Sequence, residues 1–148
     1  MSLKTQIKSF GEIQLEELYQ ILKLRTEVFV VEQDCVYQDM DNKDQKAVHI
    51  IGYYQNELAA YTRIFKPGDY SDLASIGRVV VDPNKRKFGF GKEIMNASIQ
   101  SIYDLFGKQP ITISAQCYLY DFYASLGFKQ VSQEYLEDGI PHIRMNKD

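Results

Sequence analysis

Ala74-Ser75-Ile76-Gly77-Arg78-Val79-Val80-Val81-Asp82-Pro83-Asn84-Lys85-Arg86-Lys87-Phe88-Gly89-Phe90-Gly91 is the stretch on which the reading of this chain turns. The β-rich run 74–81 closes on Asp82-Pro83, a turn pair. A basic loop with two glycines follows and opens into helical spacing over Gly91 to Phe106. There Ile94, Met95, Ile99, Ile102 and Leu105 share one face, and Gly107 supplies the stop. A loop whose N–H groups converge at a helix N-terminus is a ready phosphate site. Gly89 and Gly91 remove side chains where a phosphate must approach the backbone, and Lys85, Arg86, Lys87 and Lys92 concentrate positive charge. The P-loop pattern fails because Arg86 stands at its first glycine and Glu93 follows Lys92. The dinucleotide pattern G-x-G-x-x-G fails because its third glycine position holds Ile94. On glycines and charge alone, the loop reads equally as a tight strand-to-helix turn with solvated lysines.

Outward from that loop the period alternates between helix and strand. Lys4 to Phe10 reads as a short edge strand, and Gln14 to about Val31 as a helix in which Leu15, Leu18, Leu22, Val28 and Phe29 recur with Arg25 as a break. The continuous run Val28 to Val31 predicts that the helix ends there or becomes buried all round. Gln38 to Lys46 is a polar loop. Ala47 to Tyr54 and Leu58 to Phe65 are strands joined at Gln55-Asn56-Glu57. Ile111 to Ala115 is a strand, and Leu119 to Leu126 a short helix ending at Gly127. Phe128 to Leu136 and Ile140 to Met145 form a last hairpin around Glu137-Asp138-Gly139. The order β-α-β-β-β-α-β-α-β-β predicts an α/β (α+β) layered domain with a mixed sheet.

The 148 residues predict one domain over 1–148, large enough to need no disulfide or metal staple. Seventeen basic against twenty acidic residues leave a net charge of −3, which argues against a nucleic-acid partner. Cys35 and Cys117 lack both a secreted disulfide pattern and zinc spacing. No apolar run has the length of a membrane span, and the first residues lack the apolar core of a signal peptide, so a cytoplasmic location without membrane partners is expected. The two histidines, outside any H-E-x-x-H or carboxylate cluster, predict no metal.

Arg86-Lys87-Phe88-Gly89-Phe90-Gly91 resembles R/Q-x-x-G-x-G/A, the acyl-CoA pyrophosphate loop of the GNAT N-acetyltransferases, and lies where they carry it, between a strand and the long helix. Leu119-Tyr120-Asp121-Phe122-Tyr123-Ala124-Ser125-Leu126-Gly127-Phe128 resembles their second signature, F-Y-x-x-L/F-G-F. Val28-Phe29-Val30-Val31-Glu32-Gln33, Tyr37-Gln38-Asp39, Gly77 to Val81, Ala115-Gln116 and Glu137 to His142 look like the ElaA-type branch of that superfamily, so the likeness runs from roughly Leu18 to Met145.

The resemblance implies a mostly antiparallel mixed sheet with helices on both faces, in which the fourth strand and the strand after the superfamily's third helix splay apart around an acyl-CoA arm. Val79, Val80 and Val81 would then meet the pantetheine, and the backbone of Arg86, Lys87, Phe88, Gly89, Phe90 and Gly91, with Lys92, the pyrophosphate. A backbone N–H near Val79 would polarise the thioester carbonyl. Transfer to an amine asks that the amine lose a proton and the departing thiolate gain one. Tyr123 matches the tyrosine that commonly serves as the acid, with Tyr118 and Tyr120 as neighbouring substitutes. Carboxylates and imidazoles available as the base are Glu32, Asp39, Asp41, Glu137, Asp138, His49 and His142. The resemblance favours Glu32, Gln33 and His142 at the acceptor site, with Gln116, Glu137 and Asp138 as further substrate contacts. Arg25 and Arg78 interrupt apolar runs and are expected to form ion pairs with carboxylates such as Glu32.

The expected activity is acetyl transfer from acetyl-CoA to a primary amine of a small-molecule or peptide acceptor, and the acidic balance favours a cationic acceptor. Two alternatives stand beside it. One is a non-catalytic acyl-CoA sensor or interaction protein that keeps the fold. The other is an acyl-homoserine-lactone-synthase-like acyltransferase, weakened by the absence of tryptophan. A departure from the resembled branch is Tyr118, where histidine is frequent. Cys117 has no histidine beside it to activate an acyl-enzyme. A homodimer through the last strands is compatible with the fold.

Overall fold

A computed structural model describes residues 2–148. Its elements are β1 (Lys4–Ser9), α1 (Leu15–Arg25) running on into a π-helix (Thr26–Glu32), β2 (Val48–Tyr54), β3 (Glu57–Phe65), β4 (Ala74–Val81), a 3₁₀ turn (Pro83–Phe88), α2 (Phe90–Phe106), β5 (Ile111–Gln116), α3 (Tyr120–Ser125), β6 (Lys129–Gln130), β7 (Tyr135–Glu137) and β8 (Ile140–Lys147). Eight strands form one sheet in the order β1-β2-β3-β4-β5-β8-β6, with β7 also paired to β8. The β4–β5 pair is parallel, and the other pairings are antiparallel.

Strand alternation assigns the two faces. Ile50, Ala60, Ile64, Ile76, Ile113, Ile143 and Met145 point to one side, where Ile94, Met95, Ile99 and Ile102 of α2 and Tyr123 of α3 cover them. Ile51, Tyr61 and Val80 point to the other, under Ile21, Leu24 and Val28 from α1 and its extension. Helices thus lie on both faces, but on the second face α1 covers the β2–β4 half. The β5–β8 half carries Thr112, Ser114 and Gln116 opposite Asn146, Arg144 and His142. That polar row lies beside the cleft described below.

Turns follow their residue chemistry. Gln55 and Asn56, both at positive φ, join β2 to β3 in a two-residue loop, and Asp138-Gly139 does the same between β7 and β8. One expectation is refined and another corrected. The helix does end at the apolar run Val28 to Val31, closing at Glu32, but the run is not buried all round. It forms a π-turn whose wider spacing puts Val28 inside (5% exposed) and Val31 outside (69%). The single strand expected over Phe128 to Leu136 is two short pieces, because at Ser132 a side chain replaces a ladder partner: Arg144 N–H donates to Ser132 Oγ (2.9 Å).

Candidate active site

β4 and β5 stay paired for only Ala74↔Ile111 and Ser75↔Thr112, then separate. β4 is also bulged within its pairing to β3. Tyr61 faces Val80 and Arg63 faces Gly77, so Arg78 and Val79 stand against the single residue Thr62. Arg78 adopts φ +52, a conformation L-residues rarely take, held by what its side chain reaches. Beyond Ser75, the β5-facing edge of β4 therefore has no strand partner, and its amides open into a cleft of about 740 Å³. Unpaired strand amides persist only where water or a ligand satisfies them.

One end of this cleft is the start of α2. Gly89, at φ +78, caps the helix, and the amides from Gly89 to Lys92 lack intrahelical acceptors, with the helix dipole behind them. A Cβ on Gly91 would meet Phe122 Cζ at 3.5 Å, ordinary contact, so the backbone here lies close beneath α3. The Glu93 carboxylate turns away to accept the Leu3 amide (3.0 Å), leaving this positive end unneutralised. Arg86, Gly89, Gly91 and Lys92 line the cleft, as do Val79, Val80 and Val81. Lys85 is drawn to Asp82 (3.1 Å) and exposed Lys87 lies over the Phe88 ring. Phe88 and Phe90 stack around Tyr54, with ring centroids 5.6 and 5.1 Å from it, so these two positions can offer the cleft only their backbone.

Across the mouth, Arg86 Nη1 and Nη2 donate to Glu32 Oε2 and Oε1 at 3.0 and 2.5 Å. The expected cofactor arginine and the expected acceptor-site carboxylate thus meet as a half-exposed fork. Arg25 and Arg78 form the ion pairs expected of them, but not with Glu32. Arg25 binds Asp39 (2.9 Å) and Asp44 (2.8 Å), Arg63 binds Asp41 (2.6 Å) and Asp44 (2.9 Å), and Arg78 binds Asp39 (2.8 Å). This lattice pins the polar loop 37–44 to the sheet. Burial pushes the Asp41 and Asp44 carboxyls up, but hydrogen bonds and charge from Arg63 and Arg25 outweigh it and hold both below the usual range. Asp39 and Asp41 are therefore structural partners and not free bases. His49 is likewise removed from candidacy. It is 1% exposed, its ring nitrogens contact Tyr61 Oη (2.6 Å) and Asp44 O (2.9 Å), and burial lowers its pKa.

The rest of the expected residues gather on the cleft wall. Gln116 Nε2 lies 3.4 Å from Gln33 Oε1. His142 Nδ1 is 2.7 Å from the carbonyl of Ile140, which only a protonated Nδ1 can satisfy, so in neutral His142 the lone pair sits on Nε2, 3.4 Å from Glu137 Oε2. Ser114 Oγ donates to Glu137 Oε1 (3.1 Å). Cys35 Sγ donates to the carbonyl of Asp138 (3.3 Å), tying the end of the π-turn to the β7–β8 hairpin. Tyr123 borders the cleft at 6% exposure, edge-on to Phe122, and burial raises its phenol well above the ordinary value. Sequence reading missed Ser75, Thr112, Ser114, Arg144 and Tyr37, all on the cleft wall. The period-two alternation of β5 and β8 carried the signal for Thr112, Ser114 and Arg144.

No group of three or more metal-binding side chains occurs among the described residues, and no helix there is long and apolar enough to cross a membrane. The acetyltransferase (GNAT) domain profile matches residues 11–148. Protein ElaA of Escherichia coli is 40% identical over 140 residues, covering 93% of this chain and 92% of that protein. The crystal structure of Escherichia coli ElaA superimposes with a TM-score of 0.91 at 38% identity, covering 99% of each chain. That of an acyl-CoA N-acyltransferase from Pseudomonas aeruginosa gives 0.92 at 39% identity, covering 99% of this chain and 100% of the other. A splayed β4–β5 pair, a glycine-capped helix at its open end and relatedness over nearly the whole length agree: this chain belongs to the GNAT acetyltransferase family of acyl-CoA-dependent N-acyltransferases, alongside ElaA.

Proposed function

We propose that the protein transfers an acetyl group from acetyl-CoA to the primary amine of a small-molecule or peptide acceptor by direct attack in a ternary complex. The observation that carries this reading is the parting of β4 from β5 after two residue pairs, which leaves an unpaired β4 edge leading to the N-terminus of α2. An extended pantetheine amide chain along Val79 to Val81 satisfies that edge, and the diphosphate reaches the amides of the Arg86–Gly91 loop beside Arg86 and Lys92. The bulge at Arg78 reorients the backbone next to Val79, where an amide directed at the thioester oxygen stabilises the developing oxyanion.

The two proton transfers fall to different walls. His142, with its Nε2 lone pair beside Glu137, is the base that geometry favours: it takes the ammonium proton, and Glu137 stabilises the resulting imidazolium. Glu32 is engaged by Arg86 and acts on the acceptor only after exchanging that partner. Tyr123, kept protonated by burial, donates to the leaving thiolate, whose own basicity rises in the same desolvated site. Calorimetric titration with acetyl-CoA tests the first half of the reading, and thiol release across an amine panel tests the second. Micromolar binding with amine-dependent release is expected. Cofactor binding without release for any amine would favour a sensor, and no binding at millimolar acetyl-CoA would overturn both.

A further inference from the structure

Resting on that reading, we infer that the acceptor is an amine that also carries a carboxylate, and that Arg144, with Ser75 and Thr112, is the subsite that binds it. The vertex of the cleft is where β4 and β5 are still paired, and the pair Ser75↔Thr112 places both side chains on the polar face of the sheet. Arg144, two residues along the same face of β8, sends Nη1 to Thr112 Oγ1 (3.1 Å). All three line the cleft. Two features mark a waiting anion site. Ser75 is 5% exposed, and its hydroxyl has no hydrogen-bond partner, an arrangement buried polar groups rarely tolerate. Among the described residues, Arg144 is in no ion pair, whereas Arg25, Arg63 and Arg78 each hold two carboxylates. Glu137 reaches the same face, but its carboxylate accepts from Ser114 and lies 3.4 Å from His142 Nε2, away from Arg144.

A planar guanidinium beside two hydroxyls fits a carboxylate, which takes charge-assisted bonds from the first and single hydrogen bonds from Ser75 and Thr112. The opposite pole is on the same wall. His142 and Glu137 lie farther along β8 and β7, toward the open arms of the V, and suit the ammonium group. A molecule spanning these poles is amino-acid-like, with amine and carboxylate on one small frame. This narrows the cationic acceptor expected from net charge to one whose cation is balanced by an anion.

Thiol release at saturating acetyl-CoA, with each of a set of free amino acids compared with its carboxamide and its decarboxylated amine, tests the assignment. Free acids are expected to be preferred at least tenfold in kcat/KM. Arg144→Gln is expected to raise KM for the acids at least tenfold while leaving KM for acetyl-CoA unchanged, with Arg144→Lys restoring part of the loss. Because Arg144 also holds Thr112, Ser75→Ala is the second variant. Its hydroxyl has no partner to lose, so thermal stability is expected to hold while KM for the acids rises severalfold. Equal turnover of acids and carboxamides, or a preference for diamines, would overturn the carboxylate subsite and leave the transferase reading standing. Tight acetyl-CoA binding with no release for any amine would sink both.

Discussion

Two arrays of charge border the same cleft and are built in opposite ways. Around the loop 37–44, three arginines and three aspartates are closed on one another, and Arg25 and Arg63 are 0% and 1% exposed. Elsewhere around the cleft, Arg86 is half-exposed against one carboxylate, Lys92 lines the wall at the start of α2, and Arg144 at the vertex faces only a hydroxyl. A buried ion left without a counter-ion destabilises the fold, and here each guanidinium holds two carboxylates, so the first array is committed to structure. The second keeps donors in reserve, an arrangement that makes sense where a ligand supplies the missing anion. The chemistry of the residues is the same in both places, and their state of completion separates scaffold from site.

The largest effect is expected from breaking the closed array. Arg25→Met leaves Asp39 and Asp44 buried without their shared cation and should cost about 3–5 kcal/mol. For a chain of this length that is a thermal midpoint lower by roughly 10 °C, read by calorimetry. The same array sets the acid response. The folded pKa values of Asp41 and Asp44 are lowered, so their stabilisation is full above the unfolded range near 4 and is lost as pH falls below it toward the folded values. His49, also lowered, adds an earlier loss that begins below about 6.5, where the unfolded chain takes up the proton first. Denaturant titrations between pH 7 and 3 should show stability falling in that order, and a flat profile down to pH 4 would remove His49 from it.

The next effect belongs to the open array. Arg86→Glu with Gly89→Asp places two negative charges at the unneutralised end of α2 and forces φ +78 on a side chain. Acetyl-CoA affinity is expected to fall at least a hundredfold by calorimetry, with a midpoint loss small beside that of Arg25→Met. Gly91→Ala is the contrast, since its Cβ finds ordinary contact with Phe122 and Val81. It should keep stability and lower affinity only severalfold. Smaller again is Tyr123→Phe. Losing the proton donor should reduce kcat by about 10²-fold with KM for acetyl-CoA unchanged, and an undiminished kcat would pass the role to another group.

What could be read in advance follows the same division. The loop from Asp82 to Gly91 and the Asp138-Gly139 turn are local constructions, set by glycines, a helix start and turn residues within a few positions, and the sequence carries them openly. The closed array is assembled from Arg25, Asp39, Asp41, Asp44, Arg63 and Arg78, which meet only because β2–β4 and α1 pack. Arginine at apolar positions announced ion pairs but suggested Glu32 as the partner, so Asp39, Asp41 and His49 could still pass as candidate bases. The π-turn adds a residue per turn that an α-helical count does not anticipate, and the break at Ser132 depends on β8 lying alongside. Arg144 and Thr112 were within reach of alternation, but motif positions drew the reading elsewhere.

The smallest and most discriminating perturbation is Glu32→Gln, at a contact that joins the two halves of the proposed reaction. The pair Arg86–Glu32 is bidentate but its side chains are 46% and 40% exposed, so solvent screens it and its loss should move the midpoint by no more than about 2 °C. Its effect on acetyl-CoA is the telling quantity. If Glu32 occupies Arg86 as a stand-in for phosphate, removing its charge frees the guanidinium, and affinity should rise about two- to fivefold, more at low salt than at high, since long-range screening weakens at low ionic strength. In that case cofactor binding itself releases Glu32 toward the acceptor. A tenfold fall would show the reverse: the carboxylate holds Arg86 in the position the diphosphate needs, Glu32 belongs to the cofactor site, and His142 with Glu137 is left to handle the amine alone.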